Sequence, residues 1–388
     1  MNYSVLNVAA PFWRSLSTYL PTNNIITNVS SVFRTAPLRF FSSASDMRSC
    51  EKNIDSNSFN DSVVNKSREY YVKNTHELRD LVAQAEINLS PFKDDIKSNT
   101  RLINITPFKS NFYFKMESET TVNSFKVRGA LNAILSYKKM GLDFNHVVAM
   151  SAGNHSQGVA LAAKLLNIKS TIVMPENTDE SKIRKTKSFG ADVIIRGKSV
   201  NESFNFAKKL SKNDDSIFIH PFDDPYVIAG QATIGREIIK DLPSVSRVIA
   251  PCGGGGLISG LGCSLPDEVE ILGVQSSNNP SMVYSLKVEK RSTLPFNKSI
   301  AGGIAVTQPG HLTLEICKKL NIECLEVDEN TIKDTILYFL ENNVKIEGAS
   351  AAALSLALIK PMNALNGNTV FVNTGSNISE EIIQSLKS

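Results

Sequence analysis

Two features of this chain could do chemistry together. One is Lys126, within Ser124-Phe125-Lys126-Val127-Arg128-Gly129-Ala130; the other is a run of four glycines at 253–256. A lysine amine can form a Schiff base with a carbonyl carbon. A glycine run can hold a phosphate through its backbone N–H groups. The glycines follow the apolar segment Arg247-Val248-Ile249-Ala250-Pro251-Cys252 and precede Leu257-Ile258-Ser259-Gly260-Leu261. Strand, glycine loop and helix in that order bring free N–H groups and the positive end of a helix dipole to one point. Missing side chains let an anion approach the backbone closely. The loop is not Gly-x-Gly-x-x-Gly and no Gly-Lys-Ser/Thr follows it, which argues against dinucleotides and nucleoside triphosphates. A flexible turn is the plain alternative, but a turn at a buried strand end rarely needs four glycines. Lysine and glycines together suit a cofactor with both an aldehyde and a phosphate, as pyridoxal phosphate has.

Two further segments occupy similar places. Ser151-Ala152-Gly153-Asn154-His155-Ser156-Gln157-Gly158 follows Val147-Val148-Ala149-Met150 and opens a helix, at the carboxyl end of a strand where ligands collect in open α/β folds. Its amides and hydroxyls could bind a substrate carboxylate; simple N-capping by Ser151 or Asn154 fits equally well. His155 by itself reads as a structural hydrogen-bonding residue rather than a base. Asn373-Thr374-Gly375-Ser376-Asn377 follows Val370-Phe371-Val372 and, taken alone, is a turn. Lys126 taken alone would be a surface lysine.

The elements that must position these loops form a regular pattern from about residue 71. Short apolar runs read as strands: Val147–Met150, Thr171–Met174, Val193–Ile195, Ile217–Ile219, Arg247–Ala250, Ile271–Val274 and Val370–Val372. Helical segments fall at 156–167, 180–189 and 201–212. Continuous apolar strands separated by helices predict mostly parallel sheets covered on both faces, hence an α/β fold with two open sheets and a cleft between them. No repeat of solenoid length is present. The basic run at 182–187 reads as a solvated helix face.

Composition excludes several function classes. The net charge is +4, and Arg14, Arg34 and Arg39 account for three of the charges. Beyond residue 45 the balance is 39 basic against 38 acidic side chains, so nothing predicts a nucleic-acid partner. No apolar run approaches the roughly 20 residues of a spanning helix, and no membrane partner is expected. The cysteines at 50, 252, 263, 317 and 324 contain no Cys-x-x-Cys pair, which predicts neither a disulfide framework nor a zinc site. Residues 1–45 carry three arginines, no acid and eight serines, a composition that suits an organelle transit peptide, with mitochondrial import as the first expectation and a cytoplasmic protein as the alternative. Residues 46–70 are polar and read as linker.

The segments 124–130, 151–155, 253–256 and 374–377, in that order and spacing, resemble the threonine and serine dehydratases (threonine ammonia-lyases), close kin of serine racemase. His220-Pro221-Phe222-Asp223-Asp224-Pro225, Ile228-Ala229-Gly230-Gln231 and Ala301-Gly302-Gly303-Ile304-Ala305-Val306 extend the likeness, which covers about residues 75–380. The resemblance implies a fold-type II pyridoxal-phosphate enzyme. A small domain at 146–222 would sit within a large one built from 71–145 and 223–388, with the cofactor in the cleft. Lys126 would be the Schiff-base lysine, and Phe125 and Gly303 would flank the pyridine ring. Asn154 would meet the ring hydroxyl, Gly253, Gly254, Gly255, Gly256 and Leu257 would wrap the phosphate, and Thr374 would lie beside the pyridine nitrogen. Ser151, Ala152, Gly153, Asn154 and His155 would receive the amino-acid substrate.

The implied reaction converts L-threonine to 2-oxobutanoate and ammonia, and L-serine to pyruvate and ammonia. Relatives are usually dimers or tetramers. Serine racemases carry a second serine where this chain has Ala152, which offers no transferable proton, so dehydration with little racemisation is expected. A racemase with dehydratase side activity, or a non-catalytic amino-acid-binding protein on the same fold, are the alternatives. A sulfide-dependent synthase would read Thr-Ser-Gly-Asn-Thr at the asparagine loop. Gln275 and Ser281 stand where relatives often place carboxylates for a cation, which leaves a metal unassigned. The chain ends soon after the Thr374 loop, so isoleucine control through a C-terminal regulatory domain is not expected.

Overall fold

The computed structural model describes residues 56–105, 108, 111–212, 215–359 and 367–387. Its strands are β1 (Leu102–Ile103), β2 (Phe112–Met116), β3 (His146–Met150), β4 (Lys169–Met174), β5 (Asp192–Ile195), β6 (Ser216–Phe218), β7 (Val245–Pro251), β8 (Glu270–Ser276), β9 (Glu323–Val327) and β10 (Asn368–Asn373). They form a six-stranded sheet in the order β1-β2-β10-β7-β8-β9 and a four-stranded sheet in the order β5-β4-β3-β6. Every pairing is parallel except β1 with β2.

The apolar runs are continuous because both faces of each sheet are buried. In β3, Val147 and Ala149 point into one core, while Val148 and Met150 enter another together with Ala207 and Phe218. In β7 and β10, Ile249 and Phe371 face one side, and Val248, Ala250, Val370 and Val372 the other. Phe371 stacks on Phe114 with ring centroids 5.6 Å apart, so the central strands of the large sheet are locked by aromatic packing.

All seven expected strands are present, and the three expected helices occupy Asn154–Leu165, Glu180–Ser188 and Val200–Leu210. Strands β1, β2 and β9 escaped the sequence reading, β1 being only two residues long and the other two for different reasons. β2 contains Lys115, a buried ammonium that breaks the apolar run; its charge is paired with Glu237 at 2.7 Å, and it donates to the Thr100 carbonyl. β9 lies at the sheet edge, where Glu323, Leu325 and Glu326 are exposed and no apolar run is needed.

Part of the segment read as linker is corrected by the structure. Ser56–Lys73 is a helix that buries Val63, Ser67 and Tyr71, one every fourth residue. Ser67 Oγ donates to the Tyr226 hydroxyl at 3.2 Å, and Arg68 lies 3.7 Å from Asp223. Its polar composition hid a helix held by tertiary contacts rather than by a broad apolar face. The expected transit peptide at 1–45 and linker residues 46–55 lie outside the described residues. Among the described residues, no helix is long and apolar enough to cross a membrane.

The loops at the carboxyl ends of β3, β7 and β10 are the three singled out by sequence. A bridge between Ser124 and Gly375 brings the lysine segment to the end of β10.

Candidate active site

Lys126 is the first residue of the helix Lys126–Lys139, and the segment before it is tightly fixed. Phe125 N–H donates to the Thr374 carbonyl at 3.2 Å, and Thr120 Oγ1 both accepts from Ser124 N–H and donates to Ser124 O. Two residues on, the buried Arg128 guanidinium clamps this helix to its neighbours. It meets Glu117 through Nε and Nη2 at 2.8 Å, meets Glu237 at 2.6 and 2.9 Å, and donates to Ser98 O. Desolvation opposes that charge, but two carboxylates surround it and hold it ionised.

The Lys126 side chain is half-buried, and its amine donates to the Pro221 carbonyl at 2.8 Å. The amine lies 5.1 Å from the centroid of the Phe125 ring. Burial lowers its pKa to about 8, with the Glu347 carboxylate opposing the shift. A lysine so placed is neutral more often than a surface lysine, which a nucleophile or base requires.

The glycine run is a cradle that side chains would fill. Gly255 has φ +97°, a conformation that disfavours a side chain, and a Cβ on Gly254 would meet the Phe222 ring at 2.3 Å. Carbonyls of the loop are tied outward. Gly254 O accepts from Thr313 Oγ1 at 2.6 Å and from Gly310 N–H, while Gly253 O accepts from Gln275 Nε2 at 3.4 Å. The N–H groups of Gly253 to Leu257 have no acceptor among the described residues. Five free donors at the start of the nine-residue helix Gly256–Ser264 fit a phosphate.

Of the two readings left open for the 151–158 loop, capping is not what Asn154 does. The helix Asn154–Leu165 starts at Gly153 without a side-chain cap, and Ser151 Oγ accepts from Gly153 N–H at 3.1 Å. The Asn154 amide instead turns across the cleft. Its Nδ2 lies 2.7 and 2.9 Å from the two oxygens of Glu347, and its Oδ1 accepts from Asn377 Nδ2 at 2.6 Å. Ser151, Ala152 and Gly153 are half-buried beside it. His155 is buried and its Nε2 pairs with the Ile219 carbonyl at 2.9 Å; burial foremost, then the Lys126 charge, lowers its pKa to about 3. It is a neutral structural histidine.

Thr374 is buried, with its hydroxyl 3.1 Å from Ser350 Oγ. Gly303 lies in a single turn, Gly302–Ile304, between two parts of the site. A Cβ on Gly303 would come 3.8 Å from Glu347 Oε1, and Gly303 O lies 3.6 Å from where Gly253 would carry a Cβ. The sequence-predicted residues therefore converge. Phe125 touches the Thr374 loop, Lys126 the Pro221-Phe222 turn, that turn the glycine cradle, and Gly303 both the cradle and Glu347. A group with a phosphate, a ring and a carbonyl carbon fits this donor set.

Glu347 was missed by sequence reasoning. It is 8 % exposed, and burial raises its carboxyl pKa against the hydrogen bonds and cations around it. Nothing in Lys345-Ile346-Glu347-Gly348 marks it, because an isolated glutamate between helices reads as surface. Gln275, expected only as a departure from relatives, is fully buried and bridges three backbone groups. Its Oε1 accepts from Met282 and Val283 N–H at 2.8 and 3.0 Å, and its Nε2 donates to Gly253 O. Ser281 Oγ donates to Val306 O at 2.6 Å. Among the described residues, no group of three or more His, Cys, Asp or Glu could hold a metal. Cys252, Cys263, Cys317 and Cys324 are free thiols; burial pushes Cys263 up to about 12.

Residues 94–375 match the family described as pyridoxal-phosphate dependent enzyme. The chain is 43% identical over 279 residues to an L-threonine ammonia-lyase of Thermotoga maritima, covering 70% of this chain and 68% of that protein. Among solved structures, the processed form of threonine deaminase isoform 2 from Solanum lycopersicum superposes with a TM-score of 0.72 at 33% identity, covering 79% of this chain and 92% of the other. Maize serine racemase gives the same TM-score at 27% identity, covering 79% and 96%.

Proposed function

The chain belongs to the pyridoxal-phosphate dependent enzyme family, and from that premise we propose that it is a threonine/serine ammonia-lyase. The observation that carries the reading is Lys126: a half-buried, readily neutralised amine in one cleft with five N–H groups of the glycine loop that have no acceptor among the described residues. Pyridoxal phosphate, when bound, supplies the electron sink that stabilises negative charge at the substrate Cα. The residues of this chain do the rest. The N–H groups of Gly253 to Leu257 would hold the phosphate, Phe125 and Gly303 would flank the ring, Asn154 would reach its hydroxyl, and Thr374 would stand at its nitrogen. The loop Ser151 to His155 would take the substrate carboxylate, on the N–H groups of Ala152, Asn154 and His155, since those of Ser151 and Gly153 are already bonded to Val173 O and Ser151 Oγ. Lys126 would hold the cofactor through its amine and, once that amine is free, would take the substrate Cα proton. Departure of the β-hydroxyl as water and return of one water give the 2-oxo acid and ammonia, so threonine yields 2-oxobutanoate and serine yields pyruvate.

A neutral hydroxyl at Thr374 cannot enforce protonation of the ring nitrogen as an aspartate could, which favours prompt elimination. The likeness to maize serine racemase supports racemisation as the second reading, but Ala152 offers no proton on the opposite face of Cα. The test is a panel of L-threonine, L-serine and D-serine, assayed together for 2-oxo acid, ammonia and chirality. Equimolar 2-oxo acid and ammonia from the L-substrates, lost in Lys126→Ala, is expected. Appreciable D-serine from L-serine would shift the assignment to the racemase, and no 2-oxo acid from either L-substrate would end it.

Residues 146–222 are proposed as a small domain within the larger one, and the protein as a homodimer or homotetramer, which sedimentation measures. Import of residues 1–45 into an organelle is proposed on their composition. N-terminal sequencing of protein from its source cells decides it, an intact Met1 counting against it.

A further inference from the structure

The Asn154 amide is gripped at both ends by residues for which the reaction above has no use. Glu347 holds its nitrogen at 2.7 and 2.9 Å, and Asn377 holds its oxygen at 2.6 Å. Asn377 Nδ2 also donates to Val122 O at 2.9 Å, and its own oxygen accepts from the Lys185 ammonium. Asn154 and Lys185 belong to helices flanking the four-stranded sheet. Glu347 and Asn377 lie beside β10 of the six-stranded sheet, where Glu347 N–H donates to Gly375 O at 3.1 Å. The row Glu347–Asn154–Asn377–Lys185 therefore crosses from one sheet layer to the other at the cleft.

We propose that Glu347 is a positioning residue: it orients Asn154 toward the ring hydroxyl and, with Asn377 and Lys185, latches the two sheet layers together around the cofactor. This rests on the reading that Asn154 borders the cofactor. An amide nitrogen carries two hydrogens, so one shared between the Glu347 oxygens leaves the other for the ring hydroxyl. With both amide ends fixed, the Asn154 rotamer is set before the ligand arrives, which is how a supporting shell raises affinity. The same contact satisfies part of the buried carboxylate, which the Asn377 backbone N–H also serves, so losing Glu347 frees the nitrogen end of the Asn154 amide.

The test is titration of apo-protein with pyridoxal phosphate, followed by the absorption of the bound cofactor. Glu347→Ala is expected to weaken binding by about tenfold and to shift the absorption maximum, since one lost buried hydrogen bond corresponds to about a factor of ten. Glu347→Gln, whose amide oxygen can still accept from Asn154, stays within about threefold, a rescue that mere bulk at this position does not supply. In an Asn154→Ala background, Glu347→Ala adds no further loss. Wild-type affinity and spectrum in Glu347→Ala, or a full second loss in the double variant, overturns the proposal. Should Glu347→Ala not fold, Lys185→Met, which removes the half-buried far end of the row, carries the test: weaker binding is expected, and wild-type binding overturns the latch. A wild-type protein lacking any Lys126-dependent absorption refutes the functional reading itself, whereas a band untouched by Glu347→Ala refutes only this inference.

Discussion

Replacing Gly158 by alanine would place a methyl group where the helix Asn154–Leu165 meets the backbone of Lys126, the proposed Schiff-base lysine. Its Cβ would lie 2.9 Å from Lys126 C, 3.0 Å from Val127 N and 3.1 Å from Lys126 O. Carbon atoms rest at about 3.5–4.0 Å, so the helices must separate by about 0.6 Å. All three contacts are main chain, with no rotamer to move aside, and Arg128 prevents the lysine helix from retreating freely. Overpacking of this kind costs about 1–3 kcal/mol, while alanine in a helix interior returns about 1 kcal/mol over glycine. The net stability loss is then about 0–2 kcal/mol, small enough for a folded variant. Catalysis should suffer more, because displacing a reacting group by about 1 Å costs about a hundredfold. We expect kcat to fall about 10- to 100-fold, measured as 2-oxo acid release at saturating substrate and cofactor. Urea unfolding on the same preparation reports stability. A kcat within twofold of wild type, with the cofactor spectrum unchanged, would refute the claim that this contact sets the lysine position.

Three other outcomes follow from the geometry. The Lys126 amine, with its pKa at about 8, is protonated below that pH and cannot attack an aldehyde. Stopped-flow capture of cofactor by apo-protein should therefore quicken about tenfold per pH unit up to about pH 8 and then level off; a rate still climbing at pH 10 contradicts this. Gln275→Leu strands Met282 N–H, Val283 N–H and Gly253 O, so a stability loss of roughly 2 kcal/mol or more and weaker cofactor binding are expected, by thermal unfolding and titration. Equal cofactor affinity would show that the amide does not brace the glycine loop for binding. Arg128→Leu leaves Glu117 buried without its cation, and a loss of about 3–5 kcal/mol is expected in urea. Stability within about 1 kcal/mol of wild type would mean the network contributes little.

The motif residues were legible because their chemistry restricts residue type locally. A glycine cradle admits no side chain, and an apolar strand covered on both faces admits little polarity. That is why Gly253–Gly256, the β7 and β10 runs and the asparagine loop could be placed from sequence. Buried polar groups are illegible by the same logic, since their partners lie far away in the chain. Lys115 hid β2 because its carboxylate partner is Glu237, and the helix Ser56–Lys73 read as linker because its anchors are Tyr226 and Asp223.

Sequence alone thus pointed to the chemistry, since the lysine and the glycines suit a cofactor by the groups they can hold, and the resemblance added the asparagine loop. Only the tertiary structure decided how those groups are held still. The pKa of the Lys126 amine falls to about 8 because folding takes it partly out of solvent, and Asn154 turns away from its helix because Asn377 donates to its Oδ1 while Glu347, 193 residues away, accepts from its Nδ2. Desolvation and long-range pairing are properties of the assembled cleft, and no local pattern of residues encodes them.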